Sequence, residues 1–80
     1  MKVNILAFGI AKEIIGGSSC NMELNDACAV KELRHYLEEK FPRLKQLSSF
    51  RIAVNNHFAS LDEVITEQDE IAIIPPVSGG

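Results

Sequence analysis

One stretch of this chain repeats with a helical period long enough to demand a partner surface, and it limits what the remainder can be. From about Ala29 to Lys40, the residues Val30, Leu33, Leu37 and Phe41 fall on one side, while Lys31, Glu32, Arg34, Glu38 and Glu39 fall on the other. That is the spacing of an amphipathic helix with a single apolar stripe. Pro42 ends the pattern, because it has no N–H to continue the ladder. Asp26 is the best chemical N-cap, yet a helix beginning at Val30 is capped by Ala29, which has no side-chain acceptor.

Most of the other apolar residues alternate with the period of a strand. Residues 2 to 8 place Val3, Ile5 and Ala7 on one face and Asn4, Leu6 and Phe8 on the other. Ile10 to Ile15 reads as a short helical turn ended by Gly16-Gly17, and Cys20, Met22 and Leu24 return as a strand. Phe50 to Asn55 is a third strand, Asn55-Asn56 is a pair that tolerates the positive φ of a tight turn, and Phe58 and Ala59 lead back. Glu70 to Ile74 is the last strand, with Ile71 and Ile73 opposed to Ala72 and Ile74. The order is ββαββ. One striped helix covers one face of one sheet, so the expected fold is α+β, a ubiquitin-like β-grasp with a mixed sheet packed on one main helix. The other sheet face is then uncovered. Alternation places Leu6, Phe8, Phe58 and Ile74 on it, more apolar than a solvated face requires; the readings are a patch for a partner or the scattered exposed apolar residues of any surface, and their falling on one face favours the patch.

Composition narrows the function. Eighty residues make one small domain and leave no second lobe for a substrate cleft. A net charge of −3 without a Lys/Arg cluster argues against nucleic acid and anionic membrane as partners. No apolar run has the length of a spanning helix or the flanks of a signal peptide, so a cytoplasmic protein is expected. Cys20 and Cys28 form no CxxC and read as small packed apolar residues. His35 sits among Glu32, Arg34, Glu38 and Glu39 on a solvated helix face, and His57 lies in an unrelated segment. Neither has thiols or carboxylates at metal-ligand spacing, so no metal is expected. No pair reads as nucleophile and base.

The chemistry is expected at the end of the sequence, Pro75-Pro76-Val77-Ser78-Gly79-Gly80. After the apolar strand, two prolines give a stiff exit, and the four residues beyond Pro76 reach about 13 Å when extended. Terminal glycines let a backbone enter a channel too narrow for any Cβ. The plain alternative is a frayed end. A free α-carboxylate is ionised at neutral pH and a poor electrophile, so it must be activated before it can react.

With Val54-Asn55, Leu61-Asp62, Ile65-Thr66, Asp69-Glu70-Ile71-Ala72 and the closing PPVSGG, the chain resembles the MoaD-type sulfur-carrier small subunits of molybdopterin synthase over nearly its whole length. The resemblance implies that an adenylating, E1-like enzyme consumes ATP to make an acyl adenylate on Gly80. Conversion to a thiocarboxylate (1-thioglycine) would follow. The tail would then enter the large catalytic subunit and give sulfur to precursor Z, the cyclic pyranopterin, on the way to molybdopterin. It implies tail-threading roles for Pro76, Val77, Ser78 and Gly79 and a partner interface at Phe8, Phe58 and Ile74. It also implies a non-catalytic subunit with no bound cofactor, organised as a β-grasp domain over residues 1–76 and a flexible tail over 77–80. Family members often have a glycine before the Asp-Glu pair, where this chain has Gln68; the turn type there is the feature affected. The rival readings are sulfur carriage for thiamine synthesis or tRNA thiolation, and a modifier joined through Gly80 to lysine. Redox and acyl carriers fit poorly: an iron–sulfur cluster needs four thiolates, and Ser60 precedes Leu61-Asp62 instead of following an aspartate at a helix start.

Overall fold

A computed structural model describes residues 1–24, 27–47 and 50–75. Strand β1 (Lys2–Ala7) leads into the short helix α1 (Ile10–Ile15) and strand β2 (Ser19–Glu23). A two-residue strand β3 (Cys28–Ala29) precedes the main helix α2 (Val30–Lys40). After a 3₁₀ helix (Pro42–Gln46) come β4 (Arg51–Val54), β5 (His57–Phe58), β6 (Val64–Ile65) and β7 (Ile71–Ile74). Five strands form one sheet in the order β2-β1-β7-β4-β5. The central β1 and β7 run parallel, with Ile5 opposite Ile71, and the other pairs are antiparallel. One helix on a mixed sheet is the β-grasp arrangement expected from the stripe.

The core follows the two periodicities. Val3, Ile5 and Ala7 from β1, Ile52 and Val54 from β4, and Ile71 and Ile73 from β7 are buried against Val30, Leu33 and Leu37 of α2. Each such aliphatic side chain removed from water contributes roughly 1.5–3 kcal/mol before entropy is counted. Phe41, expected to be the fourth member of the stripe, is only half-buried, because it lies beyond the last turn as the C-cap.

Three features differ from the sequence expectation. Pro42 stops α2 and also opens the 3₁₀ helix, whose Leu44 is fully buried; proline's fixed φ suits a first helical position as well as it ends a preceding helix. The ββαββ order gains a second, two-stranded sheet in which Cys28 pairs with Ile65 and Ala29 with Val64. The start of α2 needs no capping side chain from Ala29. The Val30 and Lys31 amides donate to the carbonyls of Glu63 (2.8 Å) and Leu61 (3.0 Å), and the Glu32 carboxylate accepts from the Ala29 amide at 3.3 Å. These bonds satisfy the first donors of the helix and fasten the β5–β6 loop to it. Asp26, the alternative cap, lies outside the described residues.

Candidate functional site: an uncovered apolar sheet face beside the departing chain

The sheet face away from α2 is open among the described residues. Ala53 and Ala72 lie directly opposite each other on β4 and β7, and two such small side chains leave a shallow floor. Leu6, Phe8, Phe58 and Ile74 stand around it, with Asn56, His57 and Glu70 also on the lining. Phe8 and Phe58 are 50% and 53% exposed, which makes them the prominent contact groups, whereas Leu6 and Ile74 are half-buried between their neighbours. Alternation therefore assigned the four residues to the right face, and it could not tell that the flanking strands shelter two of them.

Phe58 is held by the hairpin between β4 and β5. Asn55 and Asn56 take φ of 52° and 71°, the paired positive values of a turn that matches strand twist. The Asn55 side chain then clips this turn to the approach of β7: its Nδ2 donates to Asp69 Oδ1 and its Oδ1 accepts from the Glu70 amide, both at 2.9 Å. Asp69 also accepts from the Thr66 amide at 2.8 Å. These bonds, led by the Thr66 amide and followed by the Asn55 side chain, hold the Asp69 carboxyl below the usual carboxylate range. His57 Nε2 lies 3.1 Å from Glu63 Oε2. Sequence reasoning did not link Asn55 to Asp69 and Glu70, because they lie 14 and 15 positions apart and no periodicity connects them.

Phe8 is followed by Gly9, whose φ of 56° and ψ of −133° are open to glycine. A Cβ there would come within 3.2 Å of Pro75 Cγ. The last described residue of the chain therefore rests on Gly9, immediately beside the apolar face. Pro76, Val77, Ser78, Gly79 and Gly80, the residues expected to carry the chemistry, lie outside the described residues.

The remaining candidates offer no reaction centre. Cys28 is buried and Cys20 half-buried, and loss of solvation raises both thiols above their ordinary pKa; Glu32 adds to the rise at Cys28 and Lys40 opposes it at Cys20. Neither is a ready thiolate. His35 pairs with Glu39 at 2.9 Å on the exposed side of α2, as expected for a solvated face. Among the described residues no cluster of His, Cys, Asp or Glu could hold a metal ion, and no helix is long and apolar enough to cross a membrane.

One main helix on a mixed sheet, with the opposite face apolar and open among the described residues, is the arrangement of a ubiquitin-like β-grasp protein. The profile of the ThiS family matches residues 5–80, and the chain belongs to that family. It is 35% identical to the molybdopterin synthase sulfur carrier subunit of Mycobacterium tuberculosis, a match covering 100% of this chain and 99% of that one. Its fold is similar to that of a putative molybdopterin converting factor subunit 1 from Pyrococcus furiosus, with a TM-score of 0.86 at 23% identity over 96% and 99% of the two chains. It is also similar to a chain in the complex of subunits 1 and 2 of the molybdopterin-converting factor from Helicobacter pylori. There the TM-score is 0.67 at 33% identity, and both chains are covered completely.

Proposed function

We propose that this chain is the sulfur-carrier subunit of molybdopterin synthase and that Gly80 carries the sulfur. The near end-to-end similarity to a curated sulfur carrier bears most of this reading. The geometry supports it: a bare apolar face for docking lies beside the point where the chain leaves β7.

The chemistry divides between the chain and its partners. The Gly80 carboxylate attacks the α-phosphorus of ATP on an adenylating enzyme, forming the acyl adenylate and releasing pyrophosphate. A sulfur nucleophile then displaces AMP and leaves the terminal thiocarboxylate. Seated in the large subunit, that sulfur attacks a carbon of the cyclic pyranopterin and displaces an oxygen substituent there, and water then cleaves the acyl–sulfur bond, leaving sulfur on the pterin and the carboxylate on Gly80. This chain contributes position and cargo, with Phe8, Phe58 and Ile74 gripping the partner while residues 76–79 carry Gly80 to the reacting centre. No cofactor resides in it, ATP is spent by the activating enzyme, and the cycle runs in the cytoplasm.

The test is twofold. The intact mass of the chain from its native cell should include a species heavier by the difference between sulfur and oxygen. That species, mixed with purified large subunit and cyclic pyranopterin, should yield molybdopterin. Ladders of heavier conjugates in place of the thiocarboxylate would support the lysine-modifier reading instead.

A further inference from the structure

The strand registers lay out the uncovered face in rows, because residues directly opposite each other on neighbouring strands point to the same side of a sheet. Leu6, Ala72, Ala53 and Phe58 stand opposite one another in turn across β1, β7, β4 and β5 and form an apolar middle row. Away from the point where the chain leaves β7 the face turns polar, with Asn4 opposite Asn21, and with Asn55 bonded through its backbone amide to the Glu70 carbonyl. Towards that point Phe8 follows the end of β1, and Ile74 of β7 stands opposite Arg51 of β4. Among the described residues, Arg51 is therefore the one charge that the paired strands place in the half of the face nearer the departing chain.

That charge is held in place. The Arg51 guanidinium lies over the Phe58 ring, 3.9 Å from its centroid, an attraction through the face of the group that leaves N–H groups available to an acceptor. Among the described residues no carboxylate pairs with it. Strand β4 lies between β7 and β5, so a protein that covers both Ile74 and Phe58 also covers Arg51. A cation stripped of water without an acceptor weakens binding, whereas the same cation met by a carboxylate does not leave an unpaired charge in the contact.

We infer that Arg51 is a specificity-determining residue of the docking face, and that the large subunit meets it with a carboxylate set within an otherwise apolar contact surface. The inference rests on the sulfur-carrier reading and specifies the chemistry of the partner. Phe8, Phe58 and Ile74 supply attraction without direction. One charge pair beside Ile74 fixes which way round the body is seated, and with it the direction in which the departing chain points.

The experiment is the Kd of the full chain for the purified large subunit from low to high salt. Arg51→Gln should bind roughly tenfold more weakly at low salt and with a flatter salt dependence, and Arg51→Glu more weakly still. Lys2→Gln removes the same charge from the polar end of the face, where Lys2 stands opposite Glu23, and should leave the Kd unchanged. Arg51 is exposed on its strand, and thermal melts confirm that each variant is folded. Arg51→Leu that binds as tightly as the wild type, or more tightly, overturns the inference. An equal loss in Lys2→Gln also overturns it, by making the effect one of net charge. Phe8→Asp, run in parallel, separates the charge pair from the face that bears it: a disruptive Phe8→Asp beside inert Arg51 variants removes the pair alone. A wild-type chain that does not bind the large subunit overturns the sulfur-carrier reading and the inference together.

Discussion

Two glycines of positive φ, Gly16 in the left-handed helical region and Gly9 at ψ of −133°, differ in what a side chain would meet. Gly16 closes α1 with φ of 85°, and a Cβ built there meets nothing within 4 Å. Gly16→Ala should therefore cost only the conformational penalty, about 1 kcal/mol. Gly9→Ala incurs such a penalty and also pushes on Pro75 at 3.2 Å, so urea denaturation should show the larger loss, about 1–3 kcal/mol. Asp69 makes a second prediction. Its carboxyl is depressed in the folded chain, so its contribution is fully present above the unfolded value of about 3.9 and is lost as pH falls through the lower folded one. Stability of the wild type should drop more steeply below about pH 4 than that of Asp69→Asn, as followed by denaturant melts at stepped pH. The turn role of Gly16 was legible in the sequence, because Gly16-Gly17 follows an apolar run, whereas nothing around Gly9 announced the approach of Pro75. The Asp69 network was not, since the link from Asn55 to Asp69 exists only once β4 and β7 pair.

Elements were legible in proportion to their length and periodicity. Eleven residues of α2 carry a stripe that the sheet buries at Val30, Leu33 and Leu37. The prediction belonging to this scale is Leu33→Ala, which removes a fully buried side chain from the middle of that stripe. It should cost about 2–5 kcal/mol, read from the shift of the thermal midpoint, a large share of what holds so small a domain together. A shift too small to resolve would mean that the helix does not present this face. Strands β3 and β6 could not be found in the same way, because two residues define no alternation. The 3₁₀ helix was concealed by Pro42, a residue that ends one helix and starts another. The uncovered face was legible because the strands bearing Leu6 and Ile74 alternate and the Asn55-Asn56 turn brings Phe58 back beside them.

For the whole molecule, the question is whether the folded body and the end of the sequence are separable parts of one device. Among the described residues the buried core runs from Val3 to Ile73, and on the sulfur-carrier reading Gly80 is cargo that this core does not need. Deleting Gly80 should leave the melting temperature and binding through Phe8 and Phe58 nearly unchanged. The same deletion withdraws the terminal carboxyl by one residue, about 3.3 Å, when the body is seated on its partner. Group transfer is far less forgiving than folding: a misplacement near 1 Å at the reacting centre can cost on the order of a hundredfold in rate. Sulfur transfer by the chain ending at Gly79 should therefore collapse while its affinity for the large subunit persists. Gly79→Val should be nearly as severe, because it adds a β-branched side chain where the proposed channel admits backbone alone, whereas Ser78→Thr should be mild. Phe8→Asp should do the reverse and weaken binding while leaving the reactive end intact, so that excess large subunit restores its transfer rate. The measurement that joins these is single-turnover molybdopterin formation from thiocarboxylated carrier, with Kd determined in parallel. Equal rates for the chains ending at Gly79 and Gly80 would show that the terminus is not the carrier of sulfur, whatever the apolar face binds.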